Sequence, residues 1–152
     1  MKIVVVSDSH GNIGNLNKIL RKEAPFDWLV HCGDGVNDLI HNDVRPGTGT
    51  LAVSGNIDLA RGSTRGRRLA ERIGTRHFLI THGDLQGAHA DFGGLVDEAK
   101  QHGCSVVLFG HTHRQYLGKG RPVLFNPGPA LNGLYGIILM NGGIEFLHRK
   151  LE

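Results

Sequence analysis

The sequence is poor in cysteine and has no long apolar run. Its 152 residues include only Cys32 and Cys104, too few for the disulfide framework of a small secreted domain. We expect two buried thiols in a cytoplasmic protein, because the N-terminus also lacks a signal-peptide pattern. The apolar stretches are only a few residues long, against the roughly 18 to 20 that span a bilayer, so no membrane segment is predicted.

No excess of one charge dominates the chain either. Lysine and arginine number 17, aspartate and glutamate 14, which gives a formal net charge of +3 and a weak preference for anionic ligands. The length fits a single domain over 1–152. What stands out is a total of ten histidines and 23 glycines, which indicates metal-capable side chains and many tight turns.

Short apolar runs alternate with turn signals and helical periodicity, which predicts an α/β protein. Asn12 is a plausible N-cap, and a loop is predicted over 45–49. The last third of the chain is expected to be mainly antiparallel. We predict helices over 13–23, 38–41 and 91–102, and strands over 2–6, 28–30, 50–53, 77–81, 105–109, 114–117, 123–125, 134–140 and 144–147.

Five predicted strands end in side chains that can bind metal. These are Asp8 and His10, then Asp34, Asn56 and His82, and finally His111 and His113. Carboxylates, imidazoles and one carboxamide suit Mn²⁺, Fe²⁺, Ni²⁺ or Zn²⁺ better than Ca²⁺. Seven donors exceed what one ion needs and favour two ions about 3.5 to 4 Å apart, an arrangement used in phosphoester hydrolysis.

These segments resemble the five ordered motifs of the calcineurin-like metallophosphoesterases, and their spacing is similar to the small bacterial and archaeal phosphodiesterase branch. The motifs are Asp8-Ser9-His10, Gly33-Asp34, Gly55-Asn56-Ile57-Asp58, His82-Gly83 and Gly110-His111-Thr112-His113. The resemblance extends from Met1 to the terminal strands. It implies a four-layer α/β/β/α sandwich of two mixed sheets with helices on the outer faces.

The resemblance also implies a ligand set and a reaction. Asp8, His10, Asp34 and His113 would hold one metal ion, and Asp34, Asn56, His82 and His111 would hold the second, with Asp34 bridging. Asn56, His82 and Asp34 would be catalytic around a hydroxide held between the ions, which attacks phosphorus in line. Mn²⁺ is the expected metal, with Ni²⁺, Fe²⁺ or Zn²⁺ as alternatives. The expected substrate is a small phosphodiester or a nucleotide-like molecule.

Position 57 departs from the family pattern. Many members carry histidine there, which can protonate the leaving oxygen, and the small phosphodiesterases often carry cysteine, whereas this chain has Ile57. General acid catalysis contributes roughly 10²- to 10⁴-fold, so either another group substitutes or good leaving groups are favoured. Asp58, His31 and Arg114 are expected to be structural, and the turn at Asn126 has no assigned catalytic role.

Two other functions stay open at this point. The retromer scaffold subunit is similar in fold and in several motifs and lacks the catalytic histidine, so a non-catalytic scaffold or binding protein is the main alternative to a hydrolase.

The six arginines from Arg61 to Arg76 predict a charged hairpin that either attracts phosphate or keeps an edge solvated. A nucleic-acid binder is the third hypothesis, without a recognised binding module. His89 and His102 are expected on the surface, and a homo-oligomer is one alternative for the assembly.

Overall fold

The computed structural model describes residues 1–42, 44 and 47–152. In chain order the strands are β1 (Lys2–Val6), β2 (Trp28–His31), β3 (Gly49–Ala52), β4 (Arg68–Ile73), β5 (Arg76–Thr81), β6 (Val106–Leu108), β7 (Tyr116–Gly118), β8 (Val123–Asn126), β9 (Leu134–Met140) and β10 (Ile144–Lys150). The helices are α1 (Ile13–Glu23), α2 (Asn56–Ala60) and α3 (Gly93–Gln101), with 3₁₀ turns at Val36–His41 and Ala130–Asn132.

The strands form two mixed five-stranded sheets. The first has the order β10-β9-β1-β2-β3, and the second has the order β4-β5-β6-β8-β7. β1, β2 and β3 are parallel to one another, and so are β5, β6 and β8. The carboxyl ends of parallel strands share one edge of a sheet, so the loops that follow these strands are brought together there.

Alternation along β1 shows how the layers pack. Ile3 and Val5 belong to the core between the two sheets, whereas Val4 and Val6 pack with α1 on the outer face of the first sheet. α3 packs on the outer face of the second sheet. The four-layer α/β/β/α prediction is therefore confirmed, as is the burial of β1 on both faces.

The predicted helices agree with the structure to different degrees. The helix over 13–23 is observed with those bounds, and the Asn12 side chain accepts the backbone N–H of Asn15 at 3.0 Å as its cap. The helix predicted over 38–41 is a 3₁₀ turn that begins at Val36. α2 was not predicted, because five residues are too few to show helical periodicity.

The arginine-rich segment is a hairpin in its second half. β4 and β5 pair in antiparallel fashion around Gly74 and Thr75, as predicted, while Arg61 and Arg65 precede the hairpin. The loop predicted over 45–49 includes Arg45 and Pro46, which lie outside the described residues. Within the part of the chain that is described, no helix has the length and apolar content needed to cross a bilayer.

Candidate metal centre

The loops that follow the strands turn in left-handed backbone conformations at predicted ligands. In the described part of the chain the non-glycine residues with positive φ are Asp8 (51°), His10 (45°), Asp34 (57°), His111 (68°) and His113 (57°). All five belong to the predicted ligand set. Such conformations cost roughly 1 to 3 kcal/mol each for non-glycine residues and cluster at functional sites. The backbone thus indicates where the site lies independently of side-chain chemistry.

One group of donors consists of Asp8, His10 and His113. His113 Nε2 lies 3.1 Å from Asp8 Oδ1, and His10 Nε2 lies 3.7 Å from the same oxygen. The two imidazole nitrogens are 3.4 Å apart. Three atoms with metal-binding lone pairs therefore lie close enough together to hold one ion. Asp8 is buried, and the rings of His10 and His113 are more exposed.

A second group consists of Asp8, Asp34 and His82, all of them buried. His82 Nε2 lies 3.2 Å from Asp34 Oδ2 and 3.9 Å from Asp8 Oδ1. Asp8 is common to both groups in this structure, whereas the family resemblance implies Asp34 as the bridge. The bridging role of Asp34 stays a prediction.

The donor atoms of the second group fit a cation. His82 Nδ1 is 2.8 Å from the carbonyl oxygen of Cys32, which can only accept, so Nδ1 carries a proton and Nε2 of the neutral ring presents its lone pair. Within the residues that the structure describes, His82 Nε2 and Asp8 Oδ1 are both buried and form no hydrogen bond. Because unpartnered buried polar atoms are costly, a divalent ion between them would remove that cost.

The ionisation of the ligands favours the forms that bind metal. Burial raises the pKa of Asp34, but His82 and the N–H of Ile57 bring it below its ordinary value. Burial, and then the charges of His82 and His89, hold the pKa of His111 below its ordinary value. Burial alone would lower the pKa of His82, yet Asp34 and Asp8 raise it overall, so a metal ion there competes with a proton.

Asp58 fixes the loop that carries Asp34. Its buried carboxylate accepts the backbone N–H groups of Asp34 at 2.7 Å, Gly35 at 2.8 Å, Val36 at 3.1 Å and Gly55 at 2.9 Å. Four N–H groups pointing at one carboxylate hold the loops after β2 and β3 together. The expectation that Asp58 is structural agrees with these contacts.

A second buried network lies behind the first group of donors. The N–H of Gly33 donates to His31 Nδ1 at 3.1 Å, so Nε2 carries the proton and donates to Ser9 Oγ at 3.0 Å. Ser9 Oγ in turn donates to Asp38 Oδ2 at 2.6 Å. Burial lowers the pKa of His31 to about 4, so its ring is neutral at pH 7. His31 is satisfied by these bonds, in agreement with its predicted structural role.

The two remaining predicted ligands, Asn56 and His111, belong to neither group of donors. Asn56 is exposed as the first residue of α2, while the ring of His111 lies 5.0 Å from that of His82. The structure therefore brings Asp8, His10, Asp34, His82 and His113 into two groups and places His111 beside them. The assignment of Asn56 and His111 as ligands stays a prediction.

Sequence reasoning missed the position of His89. It is exposed, as predicted, but its ring lies 4.3 Å from the ring of His111. His89 belongs to a loop without periodicity, 22 residues before His111, so no sequence signal indicated this contact.

Two of the arginines in the charged segment form ion pairs. Arg67 pairs with Asp84, which follows His82-Gly83 directly, and Arg68 pairs with Glu98. Arg61, Arg65, Arg72 and Arg76 are exposed. The segment therefore includes structural ion pairs as well as a solvated edge.

Comparisons with known proteins agree with this geometry. The family description "Calcineurin-like phosphoesterase superfamily domain" matches residues 1–135. A probable metallophosphoesterase of Bacillus subtilis (strain 168), YsnB, is 34% identical over 114 residues, which cover 74% of this chain and 64% of that protein. The match thus spans less than two thirds of the length of that relative.

Two further proteins are similar over nearly the whole chain. Phosphodiesterase MJ0936 of Methanocaldococcus jannaschii is 27% identical over 161 residues, covering 90% of this chain and 89% of that protein. The crystal structure of Vps29 from Entamoeba histolytica complexed with Zn²⁺ has 16% sequence identity and a TM-score of 0.71, and the match covers 99% of each chain. That structural likeness shows a shared fold. By the family match and the metallophosphoesterase relatives, this chain belongs to the calcineurin-like phosphoesterase superfamily.

Proposed function

We propose that the protein is a metal-dependent phosphoric ester hydrolase that acts on small phosphodiesters. The observation that carries the proposal is the pair of buried atoms Asp8 Oδ1 and His82 Nε2, which lie 3.9 Å apart among further carboxylates and imidazoles and form no hydrogen bond within the described part of the chain. Membership of the phosphoesterase superfamily gives the reaction class. Diester specificity is supported by the relative named as a phosphodiesterase.

The chain offers ligands for two divalent ions. Bound at this site, such ions would supply an activated water for in-line attack and would neutralise charge on the phosphoryl oxygens. Mn²⁺ is the metal we propose first, with Ni²⁺, Fe²⁺ and Zn²⁺ as alternatives. The first ion would be held by Asp8, His10, Asp34 and His113, and the second by Asp34, Asn56, His82 and His111.

The protein residues position these ligands. Asp34 Oδ1 accepts the N–H of Ile57 at 2.9 Å, while its Oδ2 lies beside His82. Asp58 holds the N–H of Asp34, so both the side chain and the backbone of Asp34 are fixed. This fixed orientation is what in-line attack requires, because small displacements of reacting groups are costly.

The leaving group receives no proton from position 57. The alkyl side chain of Ile57 cannot donate one, and the neighbouring Asp58 carboxylate is occupied by four backbone N–H groups. We therefore propose that the enzyme favours esters whose leaving groups are stable as anions, such as aryl oxides.

A hydrolysis assay tests the proposal. Chelator-stripped protein is supplied with each divalent ion and assayed on bis(4-nitrophenyl) phosphate and on 4-nitrophenyl phosphate, with Asp34→Asn as the matched control. We expect metal-dependent hydrolysis, faster on the diester, which falls by at least about 10²-fold in Asp34→Asn. A folded, metal-loaded protein that does not exceed the control with any ion would refute the hydrolase proposal.

A non-catalytic scaffold is the second candidate function. It is favoured by Ile57 and by the likeness to Vps29, which was solved with Zn²⁺. Because a Vps29 chain binds a metal ion, metal binding alone does not separate the two candidates. Hydrolysis with the Asp34→Asn control does separate them.

A further inference from the structure

A cavity of about 390 Å³ opens beside the candidate metal centre. Its wall comes from two segments, the loop between β5 and α3 and the stretch that runs from the loop after β6 into the first residue of β7. Thr112, which lines it, lies between the predicted ligands His111 and His113. The volume is within the roughly 300 to 1,000 Å³ that small-molecule sites occupy. No part of the proposed hydrolytic chemistry uses this space.

A row of imidazoles connects the buried donors to the cavity. The ring of His82 lies 5.0 Å from that of His111, which lies 4.3 Å from that of His89. His89 lines the cavity. A phosphodiester whose phosphorus is at the metal centre could therefore extend one of its ester groups into this space.

The cavity has an aromatic wall. Phe92 and Tyr116 both line it, with ring centroids 4.5 Å apart and planes inclined by 51°. The ring of Phe92 also packs edge-on against the buried ring of Phe109 at 5.3 Å, which fixes it. Tyr116 is 37% exposed, so part of its surface is available to a ligand. Aromatic rings of this kind stack on nucleobases and other planar groups.

The wall is held in place before any ligand binds. The two N–H groups of the Gln115 side-chain amide point at the carbonyl oxygens of Arg149 at 3.1 Å and Pro127 at 3.2 Å, and the carbonyl oxygen of Tyr135 lies 3.4 Å from the same nitrogen. The Thr112 hydroxyl accepts from Asn126 Nδ2 at 3.1 Å. These bonds fix the segment on either side of Arg114, and preorganisation reduces the entropy cost of binding.

The rim of the cavity is cationic. Arg114 lines it, is exposed, and forms no ion pair or hydrogen bond within the part of the chain that the structure describes. A free guanidinium beside an aromatic wall is complementary to a molecule that combines an anionic phosphate with a planar ring. The expectation that Arg114 is structural is not supported by any contact in this region.

We propose that this cavity binds a planar aromatic ring carried by one ester group of the substrate, the base of a nucleoside being the natural example, with Phe92 and Tyr116 as its stacking wall. The inference rests on the proposed function, because it places the group on a phosphodiester held at the metal centre. It predicts that the ester group seated in the cavity carries a planar ring, as a nucleoside does, and is not a simple alkyl group, while the leaving group is the other ester group.

Calorimetric titration of the Mn²⁺-loaded protein tests the proposal without relying on turnover. Adenosine 5′-monophosphate and ribose 5-phosphate carry the same phosphate and sugar and differ in the base. We expect the adenosine compound to bind about tenfold tighter, as one base stacked on an aromatic wall provides. Tyr116→Leu should reduce the ratio of the two affinities, adenosine 5′-monophosphate over ribose 5-phosphate, to near one, and Tyr116→Phe should retain the tenfold ratio.

The cationic rim is tested in the same titrations. Arg114→Gln should weaken binding of both compounds several-fold and leave their affinity ratio unchanged. Arg76→Gln is the matched control, because Arg76 begins β5 and lies about 16 to 20 Å from its far end, where His82 follows. Equal effects of the two substitutions would overturn the role of Arg114.

The outcomes separate this inference from the proposed function. A wild-type affinity ratio near one, no binding of either compound, or a tenfold ratio that Tyr116→Leu does not change would each overturn the cavity proposal, whether or not the protein hydrolyses esters. If no ester is hydrolysed while the ratio and its loss in Tyr116→Leu are observed, the hydrolase proposal fails and the aromatic binding site stands.

Discussion

The carboxylate of Asp58 accepts the backbone N–H of Asp34 in a 2.7 Å hydrogen bond, so a residue outside the predicted ligand set fixes a residue within it. Three further N–H groups, from Gly35, Val36 and Gly55, point at the same carboxylate. Asp58 thus organises two loops of the candidate metal centre without itself belonging to either donor group.

Asp58→Asn should weaken Mn²⁺ binding by about 10- to 100-fold, the usual effect of losing a residue that orients a ligand. The amide has one acceptor fewer and places an NH₂ group among backbone donors. Calorimetric Mn²⁺ titration measures the change. The control is Asp97→Asn, which removes an exposed carboxylate on α3. Identical Mn²⁺ affinities for the two variants would show that Asp58 does not position the site.

The stability of the metal-free protein should depend on pH through His31. Burial lowers the pKa of this imidazole from 6.5 to about 4 in the folded state. Between these values the unfolded chain binds a proton and the folded chain does not, so the free energy of unfolding falls as the pH drops from about 6.5 to about 4. The neutral His31 ring contributes about 3 kcal/mol to the free energy of unfolding above this pH range, and this contribution is lost across it.

Denaturant titrations at several pH values, with a chelator present, measure this contribution. His31→Gln cannot titrate, so its free energy of unfolding should decline less than that of the wild type over the same pH window. Parallel pH dependences for the two proteins would mean that His31 is not held neutral by the fold.

Much of the fold could be predicted because its signals are local. β1 is a continuous apolar run, and α1 combines a capping residue, Asn12, with apolar positions at helical spacing. The antiparallel pairing of β7 with β8 is the hairpin that the turn at Gly118-Lys119-Gly120 predicts, whereas the parallel pairing of β8 with β6 joins separate segments and no local pattern specifies it. α2 is shorter than the window in which periodicity is visible.

In the candidate site, too, local motifs could be predicted and contacts between separate loops could not. The strand-end motifs indicated donors that the structure brings together, such as Asp8 with His113. The contacts that hold them could not be predicted, because the four N–H groups bound by Asp58 come from two loops about 20 residues apart. The approach of His89 to His111 depends on how two loops pack, and loops carry no periodic signal.

The missing acid at position 57 gives a gain-of-function prediction. Ile57→His should raise the turnover of phosphodiesters with poor leaving groups, by up to about 10²-fold, because the new imidazole can protonate the leaving oxygen. Steady-state assays on alkyl and aryl diesters check this, with Ile57→Leu as the control of similar size. If alkyl diesters are hydrolysed equally slowly by both variants, the absent acid does not limit the reaction.

Asp8 Oδ1 forms no hydrogen bond within the described part of the chain, and this predicts opposite effects of its substitution with and without metal. Asp8→Asn removes a buried charge, so the Tm of the chelator-treated variant should not fall below that of the wild type. The wild type should gain about 2.7 kcal/mol of stability at a Mn²⁺ concentration 100 times the Kd, and the variant should lose this gain. The Tm of the wild type and of Asp8→Asn, each measured with and without Mn²⁺, checks both predictions. A metal-induced rise in Tm that persists in Asp8→Asn would place the ion elsewhere.

The most direct test of a two-metal phosphoesterase is the rate of bis(4-nitrophenyl) phosphate hydrolysis measured against the number of Mn²⁺ ions bound per chain. Chelator-stripped protein is titrated with Mn²⁺, and bound metal and initial rate are determined on the same samples. We predict little hydrolysis while the first ion binds and a steep rise with the second, because attack and charge neutralisation require both. A folded chain that binds two Mn²⁺ ions and hydrolyses no phosphoester would contradict the account.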